Sequence, residues 1–147
     1  MATAQTTALE REIRIEARPE TVFEFFTDPE KMTRWKGRKA ELEPRPGGIY
    51  RVEINDQAIA RGEYQEIDPP RRVVFTWGWE GEGSPVPPGA STVEVELTPD
   101  GDGTIVRLTH RDLPAAAVES HAHGWEMYLA RLAAASEGRD PGPDPNA

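Results

Sequence analysis

The sequence predicts an α+β domain, in which an antiparallel sheet carries one long helix across a face. Three observations point there. Short runs alternating apolar and polar residues recur between turn residues, the period of half-buried strands. One stretch near the C-terminus repeats its apolar residues at helical spacing instead. Between these, Val73, Phe75, Trp77 and Trp79 fall on one side of a strand behind the break Pro69-Pro70. A strand face with two tryptophans either fills a core or walls a pocket for something flat and apolar. Gly78 between them suits a bend or a close backbone approach.

Met1 to Ala8 are small and polar and read as a frayed, disordered terminus. From Leu9 to Ala17 the chain alternates as a strand. Pro19 and Glu20 then open a helix whose buried stripe is Val22, Phe23 and Phe26. Asp28-Pro29 caps and starts a second short helix, with Met32 and Trp35 on one side. Ala40 to Pro44 is a short strand, and Arg45-Pro46-Gly47-Gly48 is a turn. Tyr50, Val52 and Ile54 mark the next strand. Ala58 to Ile67 is a longer one, with a bulge expected at Gly62. Glu80 to Ala90, rich in glycine and proline, is expected as a polar rim or lid beside Trp79. Val93, Val95 and Leu97 then alternate up to the turn Pro99–Gly103, and Val106, Leu108 and His110 alternate after it. Glu94 or Glu96 is expected to pair with Arg107 across these two arms.

Pro114 starts the last element. Val118, Ala122, Trp125, Leu129 and Leu132 make the stripe of a helix of about 22 residues. Gly124 inside it predicts a close neighbouring strand or a helix bend. Gly138 ends it, and the proline-rich tail from 138 to 147 is expected to be disordered. Residues 9 to 137 thus form one domain. No other element is large enough to cover the apolar face of the sheet.

At 147 residues the chain has the length of one domain and can build a core with room for a cavity. Cysteine is absent, which excludes disulfides, thiol chemistry and zinc-thiolate sites. No apolar run approaches the roughly 20 residues that cross a bilayer, so membrane insertion is not expected. Nothing at the N-terminus reads as a signal peptide, and a cytoplasmic location is expected. With 26 acidic against 17 basic residues the net charge is −9, which argues against nucleic acid as the main partner. The basic run Arg34, Lys36, Arg38 and Lys39 reads as a solvated loop, with a partner patch as the sharper alternative.

Several pieces, in this order, resemble a known family. They are Ala17-Arg18-Pro19-Glu20-Thr21-Val22-Phe23, then Trp35, then Asp68 to Trp77, then Leu108-Thr109-His110 with Leu113-Pro114, and last His123-Gly124-Trp125 with Leu129 and Leu132. From Leu9 to Ser136 the chain is similar to the homologues of the heat-shock-protein-90 ATPase activator, a branch of the START-like, or SRPBCC, superfamily. The resemblance implies a helix-grip fold: a curved antiparallel sheet wrapped around the C-terminal helix, with an apolar cavity between them. It carries over no catalytic residue and no cofactor. Superfamily members bind lipids, sterols or hormones, or act as polyketide cyclases and aromatases. Chaperone-activating members have an additional N-terminal domain, whereas about eight residues precede the first strand here.

The residues expected to line the cavity are Trp35, Trp77, Trp79 and Trp125, with Tyr50, Phe75 and Met127 beside them. His110 shares the helix-facing side of its strand with Val106 and Leu108 and is a candidate polar anchor or proton donor. His121 is a second candidate. His123 lies two residues further on, about 200° around the helix, so the two imidazoles cannot share a metal, and no metal site is expected. Ser84, Ser91 and Ser120 lack the context of a nucleophile. Three functions follow, in this order. The first is binding of a small hydrophobic or aromatic molecule. The second is a cyclase-like enzyme using His110, Glu53 or Glu66 as acid–base group. The third is a chaperone co-factor acting through the basic run. A homodimer is left open.

Overall fold

The computed structural model describes residues 6–146. The chain runs β1 (Thr6–Ile15), α1 (Pro19–Thr27), α2 (Pro29–Trp35), β2 (Lys39–Leu42), β3 (Ile49–Glu53), β4 (Ile59–Asp68), β5 (Arg72–Trp79), β6 (Ser91–Asp100), β7 (Gly103–Pro114) and α3 (Ala115–Ser136). The seven strands form one antiparallel sheet in the order β1-β7-β6-β5-β4-β3-β2. From β2 to β7 each strand pairs with the next in sequence, as short turns dictate. The two short helices carry the chain from β1 at one edge to β2 at the other. The curved sheet holds α3 against its concave, apolar face, which is the helix-grip arrangement.

The local chemistry explains the elements. Asp28 accepts from the N–H groups of Glu30 at 2.9 Å and Lys31 at 3.3 Å, capping α2, while proline starts both short helices. Along β6, Val93, Val95 and Leu97 are buried and the residues between them are not, so the alternation marks the inner face. α3 ends at Glu137 with Gly138 at positive φ. The N–H of Arg139 reaches the Ala134 carbonyl at 2.8 Å and that of Gly138 reaches Ala135 at 3.1 Å, which closes the last turn.

Five expectations change. β1 begins at Thr6, not Leu9, because Thr6 and Thr7 already pair with Pro114 and Leu113; residues 1–5 of the expected frayed terminus lie outside the described residues. The bulge in β4 falls between Tyr64 and Glu66. Gly62 serves a close approach instead, since a Cβ there would stand 1.7 Å from the Thr76 carbonyl oxygen. Arg107 lies opposite Glu96 in β6, yet its guanidinium goes to Glu12 on β1 at 3.0 Å, while Glu94 is taken by Arg72 and Arg111. The loop from 80 to 90 is tethered: Val86 is fully buried, its carbonyl accepts from Trp79, and Glu80 pairs with Arg51.

The fifth change is the tail. It lies along α3 rather than free of it, because Arg131 gathers it in. This buried guanidinium donates to the carbonyl oxygens of Trp35, Pro141, Gly142 and Pro143 at 2.8 to 3.1 Å. Composition predicts disorder when no apolar surface can be buried. Here a fork of charged donors supplies the order instead.

Candidate functional site

One cleft stands out by its lining. It lies between α3 and the end of β5 that carries the two tryptophans, and encloses about 390 Å³. Trp77 and Trp79 form one wall, and His121, Gly124, Trp125 and Tyr128 of α3 form the other. Ile54 and Ala58 flank the mouth with Asn146 of the tail, and Lys36 lies inside. Depressions of about 450 and 480 Å³ occur elsewhere, but they are lined largely by polar and charged groups such as Arg34, Arg139 and Asp140, or Glu43, Arg61 and Glu63. Volume alone therefore does not single out the cleft; its aromatic walls do.

The walls are held by a relay of hydrogen bonds. Trp125 Nε1–H donates to His110 Nδ1 at 3.0 Å. That leaves His110 Nε2 to carry the proton, and Nε2 lies 2.8 Å from Ser91 Oγ. The Ser91 hydroxyl donates in turn to the Trp77 carbonyl at 2.6 Å. Both opposing tryptophans are thus tied to one fully buried imidazole. Burial pushes the His110 pKa down to about 3, with the neighbouring His121 and Lys36 adding to the effect. His110 is a neutral strut behind the wall, with both nitrogens occupied.

His121 faces the cleft. Its Nδ1–H donates to the Ala117 carbonyl one turn back at 2.7 Å, so Nε2 is the acceptor. Trp79 Nε1–H reaches that nitrogen at 3.4 Å, a long contact. Burial lowers the pKa of His121, opposed by the Ala117 bond. The Trp77 indole N–H is buried without a partner among the described residues.

Lys36 departs furthest from the sequence reading. It caps the C-terminal end of α2, directly after the buried Trp35, and the backbone turn at Gly37 (φ 75°) follows it. Its side chain runs inward and is 3% exposed. The ammonium lies 4.2 Å from the ring centre of Trp125, 5.4 Å from that of Tyr128 and 5.6 Å from that of Trp77. These rings are an aromatic cage for a cation. Burial brings its pKa down to about 7, partly offset by Asp144. Asp144 itself accepts from the Tyr128 hydroxyl at 2.8 Å and the Gly37 N–H at 2.8 Å.

Of the residues expected at the site, Trp77, Trp79, His121 and Trp125 come together in the cleft. Trp35, Tyr50 and Phe75 do not: they lie in the solid core toward the other end of the sheet, where Tyr50 stacks on Phe75 at 4.1 Å. His110 stands behind the wall, and Met127 packs half-buried against the core. Glu53 and Glu66 are bound to Arg38 and Arg72 and stay outside the cleft. No residue of the 80–90 loop lines it, so that loop is not its lid; the mouth belongs to the 54–58 turn and the tail. The sequence reading misses Lys36, Tyr128 and Asn146. Tyr128 lies three residues after Trp125 on the same helical face, a signal that was available. Gly124 has open space where a Cβ would be, so it serves no close strand and leaves room in the cleft.

The basic run does not form one surface patch, since Lys36 points inward and Arg38 pairs with Glu53 and Asp56. His123 is exposed and apart from His121, and no cluster of metal-ligating side chains occurs among the described residues. No helix among them is long and apolar enough to cross a membrane.

Sheet, helix order and cleft together define a member of the SRPBCC superfamily. Residues 16–137 match the family model described as activator of Hsp90 ATPase homolog 1-like protein, and the chain belongs to that family. A solution structure of an AHSA1-like protein from Rhizobium etli is 44% identical, covering 100% of this chain and 93% of that one, with a TM-score of 0.78. The crystal structure of CalU16 from Micromonospora echinospora is 28% identical over 88% of this chain and 75% of its own, with a TM-score of 0.72. An HSP90 activator from Plasmodium falciparum is 26% identical over 86% of this chain and 93% of its own, also with a TM-score of 0.72. Comparison with curated proteins finds no match.

Proposed function

We propose that this protein binds a small, flat aromatic molecule in the cleft between α3 and β5. The observation that carries the reading is the set of opposed rings, Trp77 and Trp79 against Trp125 and Tyr128, around about 390 Å³. That volume lies near the lower end of ligand sites and suits a few fused rings better than a long acyl chain. The rings supply stacking and edge contacts, and the relay from Trp125 through His110 and Ser91 to the Trp77 carbonyl fixes the Trp125 indole and the Trp77 backbone on opposite sides of the cleft. The orphaned Trp77 N–H, and His121 Nε2, which holds the Trp79 N–H only at 3.4 Å, supply the few polar contacts that fix orientation in such sites.

An enzymatic reading has less to work with. Of its three acid–base candidates, His110 is occupied at both nitrogens and the two glutamates are outside the cleft. Action on a chaperone has the likeness to the Plasmodium falciparum HSP90 activator in its favour; the surface expected to carry it is broken up by the burial of Lys36.

The test is a titration of Trp emission and melting temperature with flavonoids, aromatic polyketides, fatty acids and sterols. Occupancy at a hundredfold excess over Kd stabilises by about 2.7 kcal/mol, which is readily seen as a shift in Tm. The expected result is quenching plus stabilisation by the fused-ring compounds. Stabilisation by fatty acids alone, or by none of the panel, overturns the reading.

A further inference from the structure

We infer that the ligand of this cleft is an anion: a fused-ring compound bearing one acidic oxygen, carboxylate or ionised phenol, that meets the Lys36 ammonium inside the aromatic cage. The inference rests on the cleft being a small-molecule site and adds the charge of its occupant. Four observations carry it. Lys36 is 3% exposed and lines the cleft. Its Nζ is surrounded by Trp77, Trp125 and Tyr128, whose rings favour a cation but donate nothing to an anion except through the edges of the indoles. Among the described residues no carboxylate lies within salt-bridge distance of it; Asp144, hydrogen-bonded to Tyr128 and Gly37, acts on it only at longer range. And Trp77 Nε1–H is a second buried donor without an acceptor.

A buried, unpaired cation costs folding free energy that a hydrophobic side chain of the same length would not. Surface attraction does not explain its place, because the side chain is turned away from solvent. An oxyanion entering the cleft would give Nζ the partner it lacks. It would do so at low dielectric, where a charge-assisted hydrogen bond counts for most. The groups facing Lys36 allow this. His110 on β7 and His121 on α3 have lowered pKa values and are neutral at pH 7, Tyr128 on α3 has a raised one and is also neutral, and among the described residues Asp144 on the tail is the one acid facing it.

Two matched pairs test the inference: 2-naphthoate against 2-naphthamide, and anthraquinone-2-carboxylate against its amide. Each is titrated by Trp quenching at pH 6.5 into the full chain and into the variants Lys36→Met and Lys36→Gln, with folding checked by circular dichroism. The readout is the acid-to-amide affinity ratio, which cancels effects common to both ligands. The wild type is expected to prefer the acids by about tenfold or more, and both variants are expected to lose that preference. The wild-type preference is also expected to fall as pH rises above about 7. Amides binding as tightly as acids, or an acid preference that survives both substitutions, overturns the anion inference and leaves the aromatic site standing. Failure of all four compounds to bind overturns both.

Discussion

The two ends of the inner face are built from the same residue types and behave differently. Toward α1 and α2, Trp35, Tyr50, Tyr64 and Phe75 make a solid aromatic core. There the indole of Trp35 donates to the Phe25 carbonyl at 2.9 Å and the hydroxyl of Tyr64 donates to the Phe26 carbonyl at 2.7 Å. Phe26 and Trp35 meet edge to face at 5.4 Å, and Tyr50 stacks on Phe75 at 4.1 Å. Two residues along the same strand from Phe75, Trp77 keeps an N–H without a partner among the described residues, Trp79 makes only a 3.4 Å bond, and a lysine stands among the rings with no described carboxylate within salt-bridge distance. Aromatic content therefore does not distinguish the core from the cleft in this protein. Polar satisfaction marks a difference: Trp35 and Tyr64 in the core have closed their hydrogen bonds, and the cleft leaves the Trp77 N–H open among the described residues.

The largest expected effect separates two tryptophans. Trp35→Ala removes a fully buried ring and its bond to Phe25, and is expected to cost about 3–5 kcal/mol in a denaturant titration. Trp79→Ala, partly buried at the cleft, is expected to cost well under half of that while abolishing most ligand-induced quenching. Equal losses for the two would erase the contrast between the regions.

Next in size is the response of Lys36→Met to pH. The folded-state pKa of Lys36 is depressed to about 7, below its ordinary 10.5. The unfolded chain therefore holds the proton more tightly between those values, and the wild type gains stability as pH rises through that window. Below about 7 the penalty is fully present. Lys36→Met is expected to raise Tm by several degrees at pH 6, with the gain shrinking steadily toward pH 10. A Tm gain independent of pH would show that packing, not desolvated charge, sets the difference.

Gly124→Ala has the smallest expected effect on folding. Nothing stands within 4 Å of the added methyl, and alanine favours the helix by up to about 1 kcal/mol. The variant is expected to melt slightly higher while binding aromatic ligands more weakly, since the methyl enters the cleft. Tighter binding would mean that the space above Gly124 is not used.

The sheet, its turns and α3 were legible because alternation and helical spacing report directly which face is buried. That Trp77, Trp79, His121 and Trp125 converge on one candidate cleft was legible for the same reason, since they share that inner face. Periodicity gives the face but not the position along it, which is why Phe75, Tyr50 and Trp35 joined the same reading and turn out to be core. Lys36 was hidden because a lysine in a basic run is normally solvated. Only its place between an inward tryptophan and a glycine with positive φ turns it inward. The tail was hidden because its order depends on Arg131, whose acceptors lie 10 to 12 residues further on and on α2.

The tail also bears on how this protein should be handled at the bench. Asn146 lines the cleft, and its carbonyl accepts from the Asn55 side chain at 2.8 Å across the mouth. Any chain joined behind Asn146, an affinity tag or fluorescent fusion included, would leave from the doorway of the candidate site. Ligand screens run on such a fusion would measure the added sequence together with the cleft, so the tag belongs at the other terminus.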